Sequence, residues 1–158
     1  MDESGPQVGP AYLLSQLGHH AAAAFAERVR PLGLGVHQVG ILRLVATSAA
    51  PMTQAALGER LGVLPSRLVG WLDELAAMGA IERRTNPADR RSNHLHATAD
   101  GERLFAAVEA VSAALDEELL AGLSASDRGV LERLLREVAR GRGLLPGSHP
   151  AYGEGGGG

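Results

Sequence analysis

Apolar residues recur along most of this chain at intervals of three and four, a spacing that predicts helices. The first stripe is Tyr12, Leu13, Leu17, Ala21, Ala24, Phe25 and Val29, and Pro31-Leu-Gly-Leu-Gly ends it. A second helix follows with Val36, Val39, Ile41, Leu42 and Val45 inside, and Thr47 to Pro51 breaks it. Thr53 suits the N-cap of a short third helix over 54–61, with Ala56, Leu57 and Leu61 as its buried face. Gly62-Val63 reads as a tight turn, and Pro65 fits the first position of a fourth helix, where its missing N–H would be unpaired anyway. That helix carries Leu68, Val69, Leu72, Leu75 and Ala76 inside and stops at Gly79. Two helices joined by a short glycine-containing turn make a helix-turn-helix candidate.

The period then changes. Ala80-Ile-Glu-Arg-Arg-Thr85 alternates, Asn86-Pro-Ala-Asp89 signals a loop, and His94-Leu-His-Ala97 alternates again with Leu95 inward and both histidines outward. This predicts a two-stranded hairpin with a long polar tip. Thr98 caps a long helix with the stripe Leu104, Val108, Val111, Leu115 and Leu119. Ser124-Ala-Ser-Asp127 has the form of a capping box and opens a last helix, with Val130, Leu131, Leu134, Leu135 and Val138 on one face. Residues 1–10 read as a flexible lead-in, and 143–158, rich in Gly and Pro, as a disordered tail. The order is α-α-α-α-β-β-α-α, mostly α, and a hairpin directly after a helix-turn-helix is a winged helix of the α+β class.

Composition narrows the chemistry. The 158 residues are one domain's worth, 45% apolar and 21% charged, with no cysteine. Disulfide frameworks, thiolate metal sites, cysteine nucleophiles and thiol redox sensing are therefore excluded. No apolar run is long enough to span a bilayer, and the acidic N-terminus does not read as a signal peptide, so a cytoplasmic location without membrane contact is expected. The net charge of −3 argues against a protein that coats nucleic acid indiscriminately. Yet all fifteen basic residues are arginine, planar forks suited to phosphate oxygens and guanine edges. Aromatics at 3% are too few for base-stacking platforms.

A helix can enter the major groove of B-DNA while a narrower loop reaches the minor groove. The first turn of the fourth helix offers Ser66 for a phosphate or base edge and Arg67 for guanine, and Gly70 leaves its face open to close approach. The competing reading is a polar first turn on a helix pair that serves only packing. The hairpin tip gathers Arg83, Arg84, Arg90 and Arg91 against Glu82 and Asp89. Asp89 is placed to pair with an arginine two residues on and hold its fork rigid. A solvated charge run is the alternative there.

These segments, in register, resemble the MarR (multiple antibiotic resistance regulator) family. The matching pieces are Leu61-Gly-Val-Leu-Pro-Ser-Arg-Leu-Val, Leu72-Asp-Glu-Leu, Gly79-Ala-Ile-Glu-Arg-Arg, Asn86-Pro-Ala-Asp-Arg-Arg and Ala97-Thr-Ala-Asp-Gly101, over roughly 50 to 105. The family's wing motif, Asp-x-Arg followed by a Leu-Thr-x-x-Gly junction, is met by Asp89-Arg90-Arg91 and Thr98 to Gly101. The resemblance implies a DNA-reading surface of Thr53, Gln54, Pro65, Ser66, Arg67, Gly70, Arg84, Asp89, Arg90 and Arg91, with Arg91 as the minor-groove arginine. Leu64 stands where the family often has a capping Asp, and Ala97 where it has Leu.

The long outer stripes exceed what one small winged helix can bury. They imply a homodimer paired through residues 11–35 and 102–142, with Tyr12, Leu13, Leu17, Leu119, Leu131, Leu134, Leu135 and Val138 in the shared core and 36–101 as the DNA-binding domain. An intrachain bundle is the alternative. The resemblance further implies a small effector, often an aromatic acid, in a crevice between the dimer helices and the winged helix, for which His19, His20, Phe25, His37 and Ile41 are the candidates. No resident cofactor or metal is implied. Metal sensing is the rival: His94 and His96 share a strand face and could hold an ion, but two ligands fall short of a zinc set. No nucleophile elbow, phosphate-cradling loop or His-Glu-x-x-His pair points to an enzyme. The sequence thus reads as a ligand-responsive repressor that binds a pseudo-palindromic double-stranded operator, with a winged-helix protein-interaction module as the reading in which DNA plays no part.

Overall fold

The computed structural model describes residues 8–144 together with His149 and Tyr152. Six α-helices and a three-stranded antiparallel sheet follow in the order α1 (Pro10–Val29), α2 (Val36–Thr47), β1 (Met52–Thr53), α3 (Gln54–Leu61), α4 (Pro65–Ala77), β2 (Ile81–Asn86), β3 (Asp89–Ala97), α5 (Ala99–Leu119) and α6 (Ala125–Gly141). A single 3-10 turn, Arg30–Leu32, links α1 to α2. No described helix is long and apolar enough to cross a membrane.

The core belongs to the winged helix. Val39, Ile41, Leu42, Leu57, Leu68, Leu72, Leu75, Ile81 and Leu95 are all but inaccessible to solvent, and Val29 from α1 and Val108 from α5 join them. Side chains cap three of the helices, as the sequence predicts. Thr53 Oγ1 accepts from Ala56 N–H at 3.2 Å, Thr98 Oγ1 from Gly101 N–H at 3.0 Å, and Ser124 Oγ from Asp127 N–H at 3.2 Å. Gly62, with φ of +66°, closes α3 and turns the chain into α4.

The wing differs from expectation in two ways. Its tip is short, because β3 begins at Asp89 and leaves only Pro87 and Ala88 between the strands. Pairing to β2 holds the polar stretch extended, with Thr85 opposite Asn93 and Asn86 opposite Asp89 across an irregularity in register. The sheet also gains a third strand, with Met52 paired to Leu95 and Thr53 to His94. Two residues are too few to show an alternation.

The outer helices leave most of their apolar stripes uncovered in the single chain. Only Val29 is buried on α1 and no residue is buried on α6. Tyr12, Leu17, Leu134 and Val138 are each about half exposed. Two expected core positions of the winged helix also lie outward, Ala56 on α3 and Val69 on α4. The segments read as lead-in and tail fall largely outside the described residues. Of the latter, His149 and Tyr152 are described, and both lie against the fold, lining a cavity with α1, α2 and α5.

One contact joins the wing to α5. The Thr98 N–H donates to the Ala80 carbonyl at 3.1 Å and its hydroxyl to the Gly79 carbonyl at 2.5 Å. A Cβ at Gly101 would stand 1.9 Å from the Ala80 oxygen, so only glycine lets the first turn of α5 press on the wing base. That is the physical reason for the Thr-x-x-Gly spacing at this junction.

Candidate functional site

The first turn of α4 projects from the fold. Pro65, Ser66, Arg67 and Gly70 are all exposed, and the space around Gly70 is open. Leu64 occupies the N-cap with extended backbone and no side-chain hydrogen bond, so the helix start carries no cap of its own. Behind it, Thr53 spends its hydroxyl on capping α3, with Gln54 beside it, both half-buried.

The arginines of the winged helix fall into two groups. Arg43 is tied to Glu109 at 2.5 Å, Arg83 to Asp73 at 2.7 Å, and Arg84 to Glu82 on the same strand. Arg67 on α4 and Arg90 and Arg91 on the wing have no carboxylate partner among the described residues, and all three are exposed. Arg60 on α3 shares that condition. Arg84, expected at the surface for DNA, is partly neutralised by Glu82.

Asp89 acts differently from expectation. Its carboxylate accepts from the Arg91 backbone N–H at 3.0 Å and not from a guanidinium. The bond ties the Asp89 side chain to the backbone at the start of β3, steadies the point from which the Arg91 side chain departs, and leaves its fork free. Asn86 supports the same corner, accepting from Ala88 N–H at 2.9 Å and donating to Ser92 Oγ at 3.0 Å.

A cavity of about 300 Å³ opens where α1, α2 and α5 meet, lined by Phe25, Val36 and Leu115 with Gly18, Ala21, Ala22, Ser112, Asp116, His149 and Tyr152. Of the five residues expected around such a crevice, only Phe25 lines it. His19 and His20 are exposed on α1, turned away from the stripe 18-21-22-25 that faces the cavity. Ile41 is fully buried in the core. His37 stands just behind the cavity wall, its Nδ1 3.1 Å from the Tyr152 carbonyl. Small residues on α1 form much of the lining, and they give no apolar-stripe signal in the sequence beyond their spacing.

The sequence also gave no warning of how α2 meets α4. The His37 ring stacks on Trp71 of α4, centroids 4.3 Å apart and planes within 10°. One residue on, Gln38 Nε2 donates to Glu74 at 2.5 Å while its Oε1 accepts from Gly35 N–H. The wall of the crevice and the projecting helix are therefore in contact through two consecutive residues.

The paired histidines of β3, His94 and His96, meet edge to face with centroids 6.4 Å apart. Among the described residues no group of three or more His, Asp or Glu side chains is placed to hold a metal ion.

Comparison with known proteins agrees with this architecture. A family model described as MarR family matches residues 32–92. A protein of Thauera aromatica, assigned as a transcriptional regulatory protein for the hcr operon, is 31% identical in an alignment that covers 81% of each chain. The crystal structure of apo MarR from E. coli superposes with a TM-score of 0.74 at 26% identity, covering 85% of this chain and 98% of that one. CouR from Rhodococcus jostii, solved with p-coumaroyl-CoA, gives 0.63 at 29% identity over 82% and 90%. A MarR-family protein of Mycobacterium tuberculosis, solved with salicylic acid, gives 0.66 at 27% over 84% and 98%. With its winged helix and a curated relative matched along four-fifths of its length, this chain belongs to the MarR family of transcriptional regulators.

Proposed function

We propose that the protein is a homodimeric repressor that binds a pseudo-palindromic operator and releases it when a small aromatic ligand enters the crevice. The observation that carries the DNA reading is the partition of the arginines. Arg43, Arg83 and Arg84 are neutralised by carboxylates, whereas Arg67 on the projecting helix, Arg90 and Arg91 on the wing and Arg60 on α3 are left to find phosphate or base edges. In this reading α4 enters the major groove, with Ser66 and Arg67 toward the bases and Gly70 allowing close approach. Arg91 enters the adjacent minor groove and Arg90 faces phosphate. Thr53 and Gln54 stand near the backbone behind α4.

The exposed apolar residues of α1 and α6 support the dimer. Tyr12, Leu13, Leu17, Leu134, Leu135 and Val138 are 42–58% exposed, apolar side chains on two helices that pairing with a second copy would take out of water. Leu119 and Leu131 are half-buried beside them. In the dimer residues 11–35 and 102–142 form the shared core, and two copies of 36–101 face half-sites about one helical turn apart.

The crevice supports the ligand response. Its volume suits a single aromatic ring, its deeper walls are Phe25, Val36 and Leu115, and the relatives solved with salicylic acid and p-coumaroyl-CoA carry ligands of aromatic character. The contacts of His37 with Trp71 and of Gln38 with Glu74 supply a route from the crevice wall to α4.

The test is selection of random duplexes by the purified protein at moderate salt, followed by titration of the selected sequence against salt and against salicylate. A pseudo-palindrome with steep salt dependence supports the reading. No enrichment over bulk DNA would overturn it and move the weight to a protein-interaction module.

A further inference from the structure

Helical spacing predicts Val69 inside, yet it lies outward on α4 and is 39% exposed. Leu64, at the N-cap of the same helix, is 68% exposed, more than any other large apolar side chain among the described residues. Neither residue has a packing duty that explains it. Leu64 makes no cap bond at a position that favours Ser, Thr, Asp or Asn. Val69, β-branched on an exposed helix position, gives up side-chain freedom without gaining core contacts.

The buried side of α4 is Leu68, Leu72 and Leu75. By helical periodicity Ser66 and Gly70 point directly away from it, with Val69 on one flank and Arg67 on the other. Gly70 offers no side chain and the space around it is open, so the Val69 methyls border a gap that another surface can enter. From Leu64 to Leu72 the single charged residue is Arg67. The carboxylates that follow are engaged, Asp73 with Arg83 at 2.7 Å and Glu74 with Gln38 at 2.5 Å. This face joins apolar side chains to one uncompensated cation and holds no carboxylate without a partner, which suits a polyanion that also carries apolar groups.

We propose that Leu64 and Val69 are specificity-determining residues that read the C5 methyl groups of thymines in the major groove. This rests on α4 being the helix that enters that groove. Of the four bases only thymine presents an apolar group there, and an apolar side chain recognises it by contact alone. Gly70 gives the approach and Val69 the contact surface, while Leu64 meets a second methyl at the end of the helix. Arg67, on the opposite flank, is left for guanine or phosphate. Each half-site accordingly holds one fixed A·T pair on the Val69 side and another at the Leu64 end.

The experiment selects duplexes with the full chain and then replaces thymines of the selected operator by deoxyuridine, which lacks only the methyl, one position at a time in both half-sites. The unsubstituted chain is expected to lose about fourfold in affinity per methyl, hence about fifteenfold when the same position is changed in both half-sites. One such position should go silent in Val69→Ala and a different one in Leu64→Ala, the loss falling to under about twofold in each. Arg67→Ala, though weaker in binding, should keep both sensitivities. Both apolar variants lie at exposed positions and should keep Tm within about 2 °C of the parent. An operator with no preferred thymine, or one whose deoxyuridine forms bind the unsubstituted chain as tightly, overturns the proposal, and the reading of α4 survives if Arg67→Ala relaxes base preference. So does deoxyuridine sensitivity that persists unchanged in both variants. Failure to enrich any duplex overturns the reading of α4 and the thymine contacts together. The deoxyuridine series on the unsubstituted chain needs no variant, so it keeps the test valid if either substitution prevents folding.

Discussion

Replacing Arg91 with alanine tests the DNA-reading surface through a quantity that overall affinity hides. Arg91 has no carboxylate partner among the described residues, and Asp89 is engaged with its backbone N–H, so its charge is uncompensated. Each phosphate-neutralising cation contributes about 0.9 to the slope of log K against log salt, and a symmetric dimer loses two, or about 1.8. Between 50 and 200 mM salt, a change of about 0.6 in log concentration, the affinity deficit of Arg91→Ala should therefore shrink about twelvefold. The comparison is the neutral double variant Asp73→Ala with Arg83→Ala, which removes a charge pair joined at 2.7 Å and should leave the slope within about 0.3 of the parent. Fluorescence anisotropy on the selected operator at four or more salt concentrations reads both. A slope change for Arg91→Ala below about 0.5 would mean that the wing does not lie on the duplex.

The other expectations are these. Asp89→Ala removes the hydrogen bond that sets the Arg91 backbone and should weaken operator binding about thirtyfold, the worth of roughly one net hydrogen bond in each of the two subunits, with the dimer intact by sedimentation. Gly101→Ala must push α5 more than an ångström from the Ala80 carbonyl, and should lower Tm by about 4–10 °C at fixed protein concentration; a fall under about 1 °C would show that the junction yields freely. Leu134→Asp places a charge on the exposed apolar face of α6 and should convert the dimer to monomer at micromolar concentration in sedimentation velocity, whereas an unshifted dimer would place the interface elsewhere. Asp116→Asn removes an exposed carboxylate from the crevice rim and should improve salicylate affinity about two- to fivefold in calorimetry, with para-ethylphenol unaffected.

The helices were legible because each announces itself twice, by apolar spacing and by a terminal residue whose side chain or backbone suits the end. Thr53, Thr98 and Ser124 make the cap bonds that their positions predict. The wing was legible only at its base, where Ile81 and Leu95 face the core. Its outer half is held by cross-strand pairing between polar residues, and Asp89 to Ser92 carry no alternation that would separate strand from loop. The exposed cation of α4 could be placed at the surface because a polar residue in the first turn of a helix is a local pattern. The crevice could not, since its lining is assembled from Gly18, Ala21 and Ala22, whose only signal is spacing, and from Tyr152, which meets Gly40 across most of the chain. Ile41 shows the converse limit: apolar character said that it was inside, but not whether it faced the core or the cavity.

The contact between Gly101 and Ala80 also has a mechanical side. It leaves no room for α5 to slide against the base of the wing, so the two move as a single lever. With 21 residues, α5 is about 30 Å long. If the subunits pair at its far end, as proposed above, a tilt of about 5° there would swing the wing by roughly 2.6 Å along the duplex, about three-quarters of the ~3.4 Å rise of one base pair. In the proposed dimer, shifts that small in the shared core would be enough to put two wings out of step with their half-sites.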